Sequence, residues 1–126
     1  MKMLSGKIYW VLDDFTFNGN YYPKKDETVH IVTKIENVII DEHMIKFSTN
    51  PIEYGGELFS YDVNLLINDN GLGFSGRFTE TSDGDWSGSI SCELFENKNL
   101  YFIYGKWTED EVIYTWWARI EKNASR

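Results

Sequence analysis

Strict alternation of apolar and polar residues in the last third of the chain constrains its fold most strongly. A period of two places one set of side chains on each face of a β-strand. The alternating segments cover residues 72–79, 86–94, 101–107 and 112–120, with Leu72 assigned to the inner face. Their connectors are polar and of hairpin length. The pattern therefore predicts an antiparallel meander.

The first part of the chain adds four predicted strands, at residues 6–12, 28–40, 44–49 and 57–67. An Asn70-Gly71 step follows the fourth strand and is typical of a hairpin that needs a positive φ. Residues 13–27 are too aromatic for a solvated linker, and we expect them to fold back over the barrel end or wall. Eight antiparallel strands in sequential order favour closure, because closure removes both sheet edges.

Glycines on the inner faces support this closure. Four of them are followed two residues later by a large apolar side chain: Gly6, Gly76, Gly88 and Gly105. Glycine lets a strand bend at a barrel corner and leaves space for an aromatic neighbour. We expect a single all-β domain over residues 1–126, an eight-stranded antiparallel up-and-down meander closed into a barrel. An open β-sandwich is the alternative.

Short motifs in the same strands resemble those of a known group of barrels. Phe74-Ser-Gly-Arg-Phe78, Trp86-Ser-Gly88, Gly105-Lys-Trp107 and Trp116-Trp117 resemble calycin-type proteins, which include lipocalins, fatty-acid-binding proteins and avidin-like proteins. The resemblance implies a barrel with capacity for a ligand. The first long loop lacks the helical periodicity of fatty-acid-binding proteins, and no full biotin-contacting set is matched. No binding residue is carried over, and fold alone does not assign function.

Composition excludes some classes of partner. The net charge of −8 disfavours nucleic acid and anionic membranes, whereas a basic protein partner is allowed. The N-terminus has no hydrophobic signal region and no apolar run is long enough to span a membrane, so a cytoplasmic location is expected. The single cysteine, Cys92, falls on an apolar strand face and predicts a buried, inert thiol.

Catalytic and metal-binding motifs are not recognised. His30 and His43 lie in different strands, and Asp83-Gly84-Asp85 lacks the further oxygen ligands of a calcium loop. General acid–base chemistry would require paired carboxylates that face one pocket. The predicted inner faces contain essentially no carboxylate, and Asp62 and Glu57 are the candidate exceptions. The sequence predicts no enzyme activity, no cofactor and no metal.

The first functional hypothesis uses the clustered negative charge. In an eight-strand meander the connections one–two, three–four, five–six and seven–eight meet at one end, and most acidic turn residues fall there. We expect a bacterial immunity or inhibitor protein that covers a basic, nuclease-like toxin. Its predicted partner-binding residues are Asp13, Asp14, Asp83, Asp85, Glu109, Asp110, Glu111, Phe102, Tyr104 and Trp117. The alternative is that acidic residues simply suit polar turns.

The aromatic members of that set belong to an outward apolar face on the last strands. Ile113 joins them there, and Tyr9 and Val11 extend the face onto the first strand. Such a patch usually marks an interface. Three occupants are considered: the 13–27 segment, a second copy of the chain in a homodimer, or a foreign protein.

The second hypothesis is a calycin-like carrier of a small hydrophobic ligand. The predicted lining residues are Trp10, Phe78, Trp107, Tyr114 and Trp116. All five also suit ordinary core packing, because an eight-stranded barrel can be filled by side chains alone. The crowding of bulky inward residues favours the first hypothesis over the second.

Overall fold

A computed structural model of the chain describes residues 4–12, 30–54, 56–81, 83–109 and 112–122, and most of these residues form β-strands. The strands are β1 (Leu4–Leu12), β2 (His30–Ile40), β3 (Met44–Thr49), β4 (Ile52–Tyr54), β5 (Glu57–Phe59), β6 (Tyr61–Ile67), β7 (Phe74–Glu80), β8 (Asp83–Glu96), β9 (Leu100–Glu109) and β10 (Val112–Glu121). No helix in these ranges is long and apolar enough to cross a membrane.

Eight of the strands close into a barrel in the order β1-β10-β9-β8-β7-β6-β3-β2, and every neighbouring pair is antiparallel. The predicted closed, eight-stranded up-and-down meander is confirmed. The Asn70-Gly71 turn is also confirmed, since Gly71 has a φ of 75° and Asn70 Oδ1 accepts the Leu72 N–H at 2.9 Å.

Two predictions about strand boundaries were wrong. The predicted fourth strand at residues 57–67 is two strands, because β5 pairs with β4 in a separate two-stranded sheet and only β6 joins the barrel. Leu72 lies in the turn before β7 and is 73% exposed, so it is not an inward residue. Its side chain continues the apolar alternation of β7, but the chain reverses at Gly71 and Gly73, both with positive φ.

Close strand contact explains the inward glycines. Gly88 on β8 pairs with Phe78 on β7, and a Cβ at Gly88 would stand 2.5 Å from Phe78 Cε2 and collide with the Thr108 carbonyl oxygen. At Gly105 a Cβ would stand 2.6 Å from Cys92 Cα. The glycines therefore allow neighbouring strands and an aromatic ring to approach where any other residue would push them apart.

Aromatic side chains fill the barrel interior. Trp107 stacks on Phe78 with ring centroids 4.5 Å apart and meets Trp116 edge-on at 6.0 Å. Phe47 packs against the other side of Trp116 at 6.0 Å. Phe78 and Trp116 are fully buried and Trp107 is nearly so. The middle of the barrel is consequently a packed core rather than an open ligand chamber.

One end of the barrel carries an additional layer, and we call this end the mouth. Strands β1, β3, β7 and β9 end there, and β2, β6, β8 and β10 begin there. The β4–β5 hairpin is inserted at the mouth, between β3 and β6. The prediction for the 13–27 segment concerns residues outside the described ranges.

Candidate functional site

A cavity of about 120 Å³ lies at the mouth, between the aromatic core and the β4–β5 hairpin. Six of its eight lining residues are aromatic, one is aliphatic and one is a carboxylate. The lining residues are Trp10, Ile52, Phe59, Tyr61, Trp86, Trp107, Glu109 and Tyr114. A concave, aromatic site with a single charged group has the composition of a small-molecule pocket.

A β-bulge places Trp86 at this cavity. Pairing between β7 and β8 moves from Thr79–Ser87 directly to Glu80–Asp83, so residues 84–86 have no partner on β7. A bulge bends its strand and redirects the side chains within it. The ring of Trp86 meets Phe59 of the hairpin at a centroid distance of 5.2 Å and an interplanar angle of 67°. The bulge and the hairpin thus form one wall of the cavity together.

Two hydrogen bonds to side chains fix the start of β6, where Tyr61 stands. The N–H of Tyr61 donates to Thr49 Oγ1 at 2.9 Å, and the N–H of Ser60 donates to Glu80 Oε2 at 3.1 Å. Both acceptor residues are buried. Because buried backbone N–H groups need acceptors, these side chains add to the backbone pairing of Ser60 and Tyr61 with the end of β7 and hold the start of the strand in place.

Edge-to-face contacts set the angle of the Tyr61 ring. Its centroid lies 5.4 Å from that of Trp107 and 5.2 Å from that of Phe78, at interplanar angles of 78° and 85°. Trp10 completes the group, 5.2 Å from Trp107 at 87°. Aromatic rings prefer such arrangements, and each contact restricts the rotamers of both partners. The cavity wall is therefore preorganised.

Two carboxylates lie at the mouth. Glu109 lines the cavity and accepts the Trp107 Nε1–H at 3.1 Å. Glu80 is only 2% exposed and lies on β7, next to the strand β6 that carries Tyr61. Burial raises the pKa of the Tyr61 phenol, and the negative charge of Glu109 and, more weakly, Tyr114 and Glu80 raise it further. Tyr61 consequently keeps its proton and remains a hydrogen-bond donor well above neutral pH.

The indole of Trp86 adds a buried donor. Its Nε1–H has no acceptor among the residues that the structure describes. The other large core indoles differ, since Trp107 donates to Glu109 and Trp116 donates to the Lys106 carbonyl oxygen at 3.2 Å. A buried N–H without an acceptor is costly, so this group favours a ligand that carries an acceptor atom.

The residues predicted for a small ligand divide into two groups. Trp10, Trp107 and Tyr114 line the cavity. Phe78 and Trp116 are fully buried and do not line it, but both contact Trp107, which does.

Of the residues predicted for a protein partner, those whose side chains the structure describes lie on two faces of the barrel. Glu109 points into the mouth cavity, whereas Phe102 and Tyr104 stand on the opposite face of the same strand. Asp83 and Asp85 belong to the start of β8, and their side chains lie outside the described part of the structure. The remaining acidic members are also outside it: Asp13, Asp14, Asp110 and Glu111.

The outer wall carries a row of aromatic residues across three strands. Tyr9 on β1 pairs with Trp117 on β10, which pairs with Tyr104 on β9. The rings of Tyr9 and Trp117 stack at 5.4 Å with an interplanar angle of 11°, and Tyr104 is 45% exposed. The predicted adjacency of the first and the last two strands is confirmed, while the occupant of this wall stays a prediction.

The prediction that the inner face carries essentially no carboxylate was wrong, although its two named exceptions, Asp62 and Glu57, are both exposed. Asp62 lies on the outer face, where it accepts the Ser48 hydroxyl at 2.7 Å, and Glu57 lies on the exposed hairpin. The buried carboxylate is Glu80. His43 is exposed beside Glu42, and the described residues contain no group of three potential metal ligands.

Several residues in or near the cavity were missed for identifiable reasons. Glu80 continues the inward series of Phe74, Gly76 and Phe78 by one step, so the alternation of β7 contained the signal. Tyr61 could be found in the same way from Val63 and Leu65. Ile52 and Phe59 carry no such signal, because the β4–β5 hairpin is too short to show a period.

Comparisons with known proteins give no assignment. No protein-family model matches the sequence, and no curated protein matches it. Among solved structures, H1 crustacyanin from the lobster Homarus americanus is similar to this chain, with a TM-score of 0.43 and 14% sequence identity. The alignment covers 100% of this chain and 63% of the crustacyanin chain, so this chain spans less than two thirds of its length.

Proposed function

We propose that the protein is a non-enzymatic, small-ligand-binding barrel whose site is the cavity at the mouth. The observation that carries the proposal is the preorganised aromatic lining around a partly open space of about 120 Å³. Apolar cavities of about 150 Å³ accept benzene, so this one suits a ligand of roughly six to eight non-hydrogen atoms. Longer lipids and retinoid-like molecules do not suit it, because aromatic side chains fill the barrel below.

The placement of those predicted residues that the structure describes favours this function over toxin inhibition. An inhibitor needs its anchors and charges on one continuous surface. Glu109 faces the interior at the mouth, and Phe102 lies on the outer face seven residues away along β9, which corresponds to roughly 20 Å. A basic protein partner and a homodimer through the outer wall remain predictions from the sequence.

The hairpin offers a matched pair of variants to test the proposal. Ile52 lines the cavity, whereas Leu58 is on the same hairpin, is 66% exposed and does not line it. Ile52→Trp should fill the cavity, and Leu58→Trp adds the same side chain outside it. The probes are phenol, choline and 3,3-dimethylbutan-1-ol, and binding is followed by ligand-observed NMR.

We expect at least one probe to bind the wild type and Leu58→Trp with equal affinity, and to lose binding to Ile52→Trp. Circular dichroism and urea titration establish that both variants are folded. If no probe binds the wild type, or if binding survives Ile52→Trp unchanged, the proposed site is refuted.

A further inference from the structure

We propose that the mouth cavity selects a small aromatic ring that carries a hydrogen-bond acceptor, such as a ring nitrogen or a carbonyl oxygen, over a hydrocarbon of the same shape. The inference rests on the proposed function, and it adds the chemical class of the ligand. Two hydrogen-bond donors in the lining support it, and the angles between the lining rings support an aromatic body for the ligand.

The indole of Trp86 is the first of these donors. Its Nε1 atom is shut off from solvent and has no hydrogen-bond partner among the described residues, and its side chain lines the cavity. Bulk water therefore does not replace the missing acceptor, and a buried donor without an acceptor lowers stability. An acceptor atom on a ligand that packs against this ring would supply what the protein itself does not.

The phenol of Tyr61 is the second donor. The side chain lines the cavity and is 8% exposed, and in the described part of the chain no hydrogen bond joins its hydroxyl to another residue. Burial raises the pKa of this phenol, so the hydroxyl keeps its proton at neutral and moderately alkaline pH. A phenol O–H donates readily to a ring nitrogen or a carbonyl oxygen.

The carboxylate of the lining differs from these donors, because it already has a protein partner. Glu109 accepts the Trp107 Nε1–H at 3.1 Å, so it has a donor before any ligand enters. Trp86 and Tyr61 gain a partner only from a ligand with an acceptor atom. A site of this kind discriminates against a hydrocarbon analogue, because its donors then stay unpaired.

The walls of the cavity favour a flat ring as the body of the ligand. Six aromatic side chains line a space of about 120 Å³, and the rings of Trp10 and Tyr61 stand at 87° and 78° to that of Trp107. Aromatic rings prefer offset-stacked and edge-to-face contacts. An aromatic ligand can make both kinds of contact with walls that meet at such angles.

Pyridine and benzene separate the acceptor from the shape. The two molecules are isosteres that differ by a ring nitrogen in place of a C–H group, and both are small enough for the cavity. Pyridine is uncharged at pH 8, so charge does not enter the comparison. Ligand-observed NMR titration at this pH gives the two dissociation constants, and benzene serves as the reference for burial and shape.

Conservative variants identify the donor. Trp86→Phe and Tyr61→Phe each remove one donor and keep an aromatic ring in the lining. Tyr104→Phe is the matched control, because it makes the same change on the outer wall, where Tyr104 is exposed and does not line the cavity. The affinity for benzene reports whether each variant keeps its cavity.

We expect pyridine to bind the wild type at least as tightly as benzene, although its nitrogen must give up hydrogen bonds to water. At least one of Trp86→Phe and Tyr61→Phe should weaken pyridine about tenfold and leave benzene unchanged, and Tyr104→Phe should alter neither.

Two results overturn the inference: benzene binding the wild type tenfold more tightly than pyridine, or pyridine affinity that is unchanged in both lining variants. The first result needs no substitution, so the test does not depend on the folding of a variant. If benzene binds and either result is found, the inference falls and the small-ligand function stands. If neither probe binds, both fall.

Discussion

Replacing Gly88 with alanine tests the link between strand packing and the mouth cavity. The new methyl group would lie 2.5 Å from Phe78 Cε2 and 2.7 Å from Cζ, against a normal carbon–carbon contact of about 3.5–4.0 Å. It would also collide with the Thr108 carbonyl oxygen. Phe78 cannot move freely, because Trp107 stacks on one of its faces and Tyr61 meets it edge-on.

Overpacking of this kind costs typically 1–3 kcal/mol, and two simultaneous collisions place Gly88→Ala near the upper end, at about 3 kcal/mol. For a domain of this size that corresponds to a fall in Tm of roughly 10 °C. Because Trp107 must follow Phe78, small-ligand binding at the mouth should weaken as well. Urea titration monitored by tryptophan fluorescence gives the change in the free energy of unfolding.

Two comparisons make the test specific. Gly71→Ala is a control for backbone conformation, since Gly71 has a φ of 75° and open space around it, and it should cost about 1 kcal/mol. In Gly88→Ala/Phe78→Leu the colliding ring atoms are absent, so the double variant should be more stable than the sum of the single changes predicts. If Gly88→Ala is no more destabilising than Gly71→Ala, or if the two changes at positions 78 and 88 add independently, the steric reasoning is refuted.

Three further predictions concern buried polar groups. Thr49→Val should lower the free energy of unfolding by about 1–3 kcal/mol, because it leaves the Tyr61 N–H without its acceptor. Thr49→Ser keeps a hydroxyl and should restore part of the loss. Equal stability of the valine and serine variants in urea would contradict this. Burial raises the pKa of the Cys92 thiol to about 12, so a thiol reagent at pH 8 should label Cys92 only after unfolding, and rapid labelling of the native protein would argue against a buried thiol. The pKa values of Cys92 and Tyr61 are both raised in the folded state, so their contribution to the free energy of unfolding is complete below pH 9 and is lost as the pH rises beyond 9 for Cys92 and beyond 10 for Tyr61. Tyr61→Phe should therefore flatten the decline in the free energy of unfolding above about pH 10. An unchanged slope would show that Tyr61 does not contribute.

The architecture of the barrel could be predicted from the chain alone, because it depends on local and repeated signals. The period-two alternation in β7 to β10 specifies which side chains face inward, and hairpin-length connectors leave antiparallel neighbours as the simplest pairing. The glycines before Phe78, Ile90 and Trp107 mark the close approaches that a closed sheet requires. These signals do not depend on knowing what any residue contacts.

Only the tertiary structure decided where the candidate site lies. Phe78 and Trp107 have the same pattern in sequence and both are buried, yet only Trp107 lines the cavity, because alternation does not show which inward side chain borders an empty space. The bulge that redirects Trp86 and the hairpin that brings Phe59 to it are breaks in periodicity, which a periodic signal cannot reveal. Glu80 and Glu109 come to the same mouth from the ends of two different strands, and sequence separation carries no information about such a meeting. Faces follow from local alternation, whereas a cavity is a property of how distant strand ends pack together.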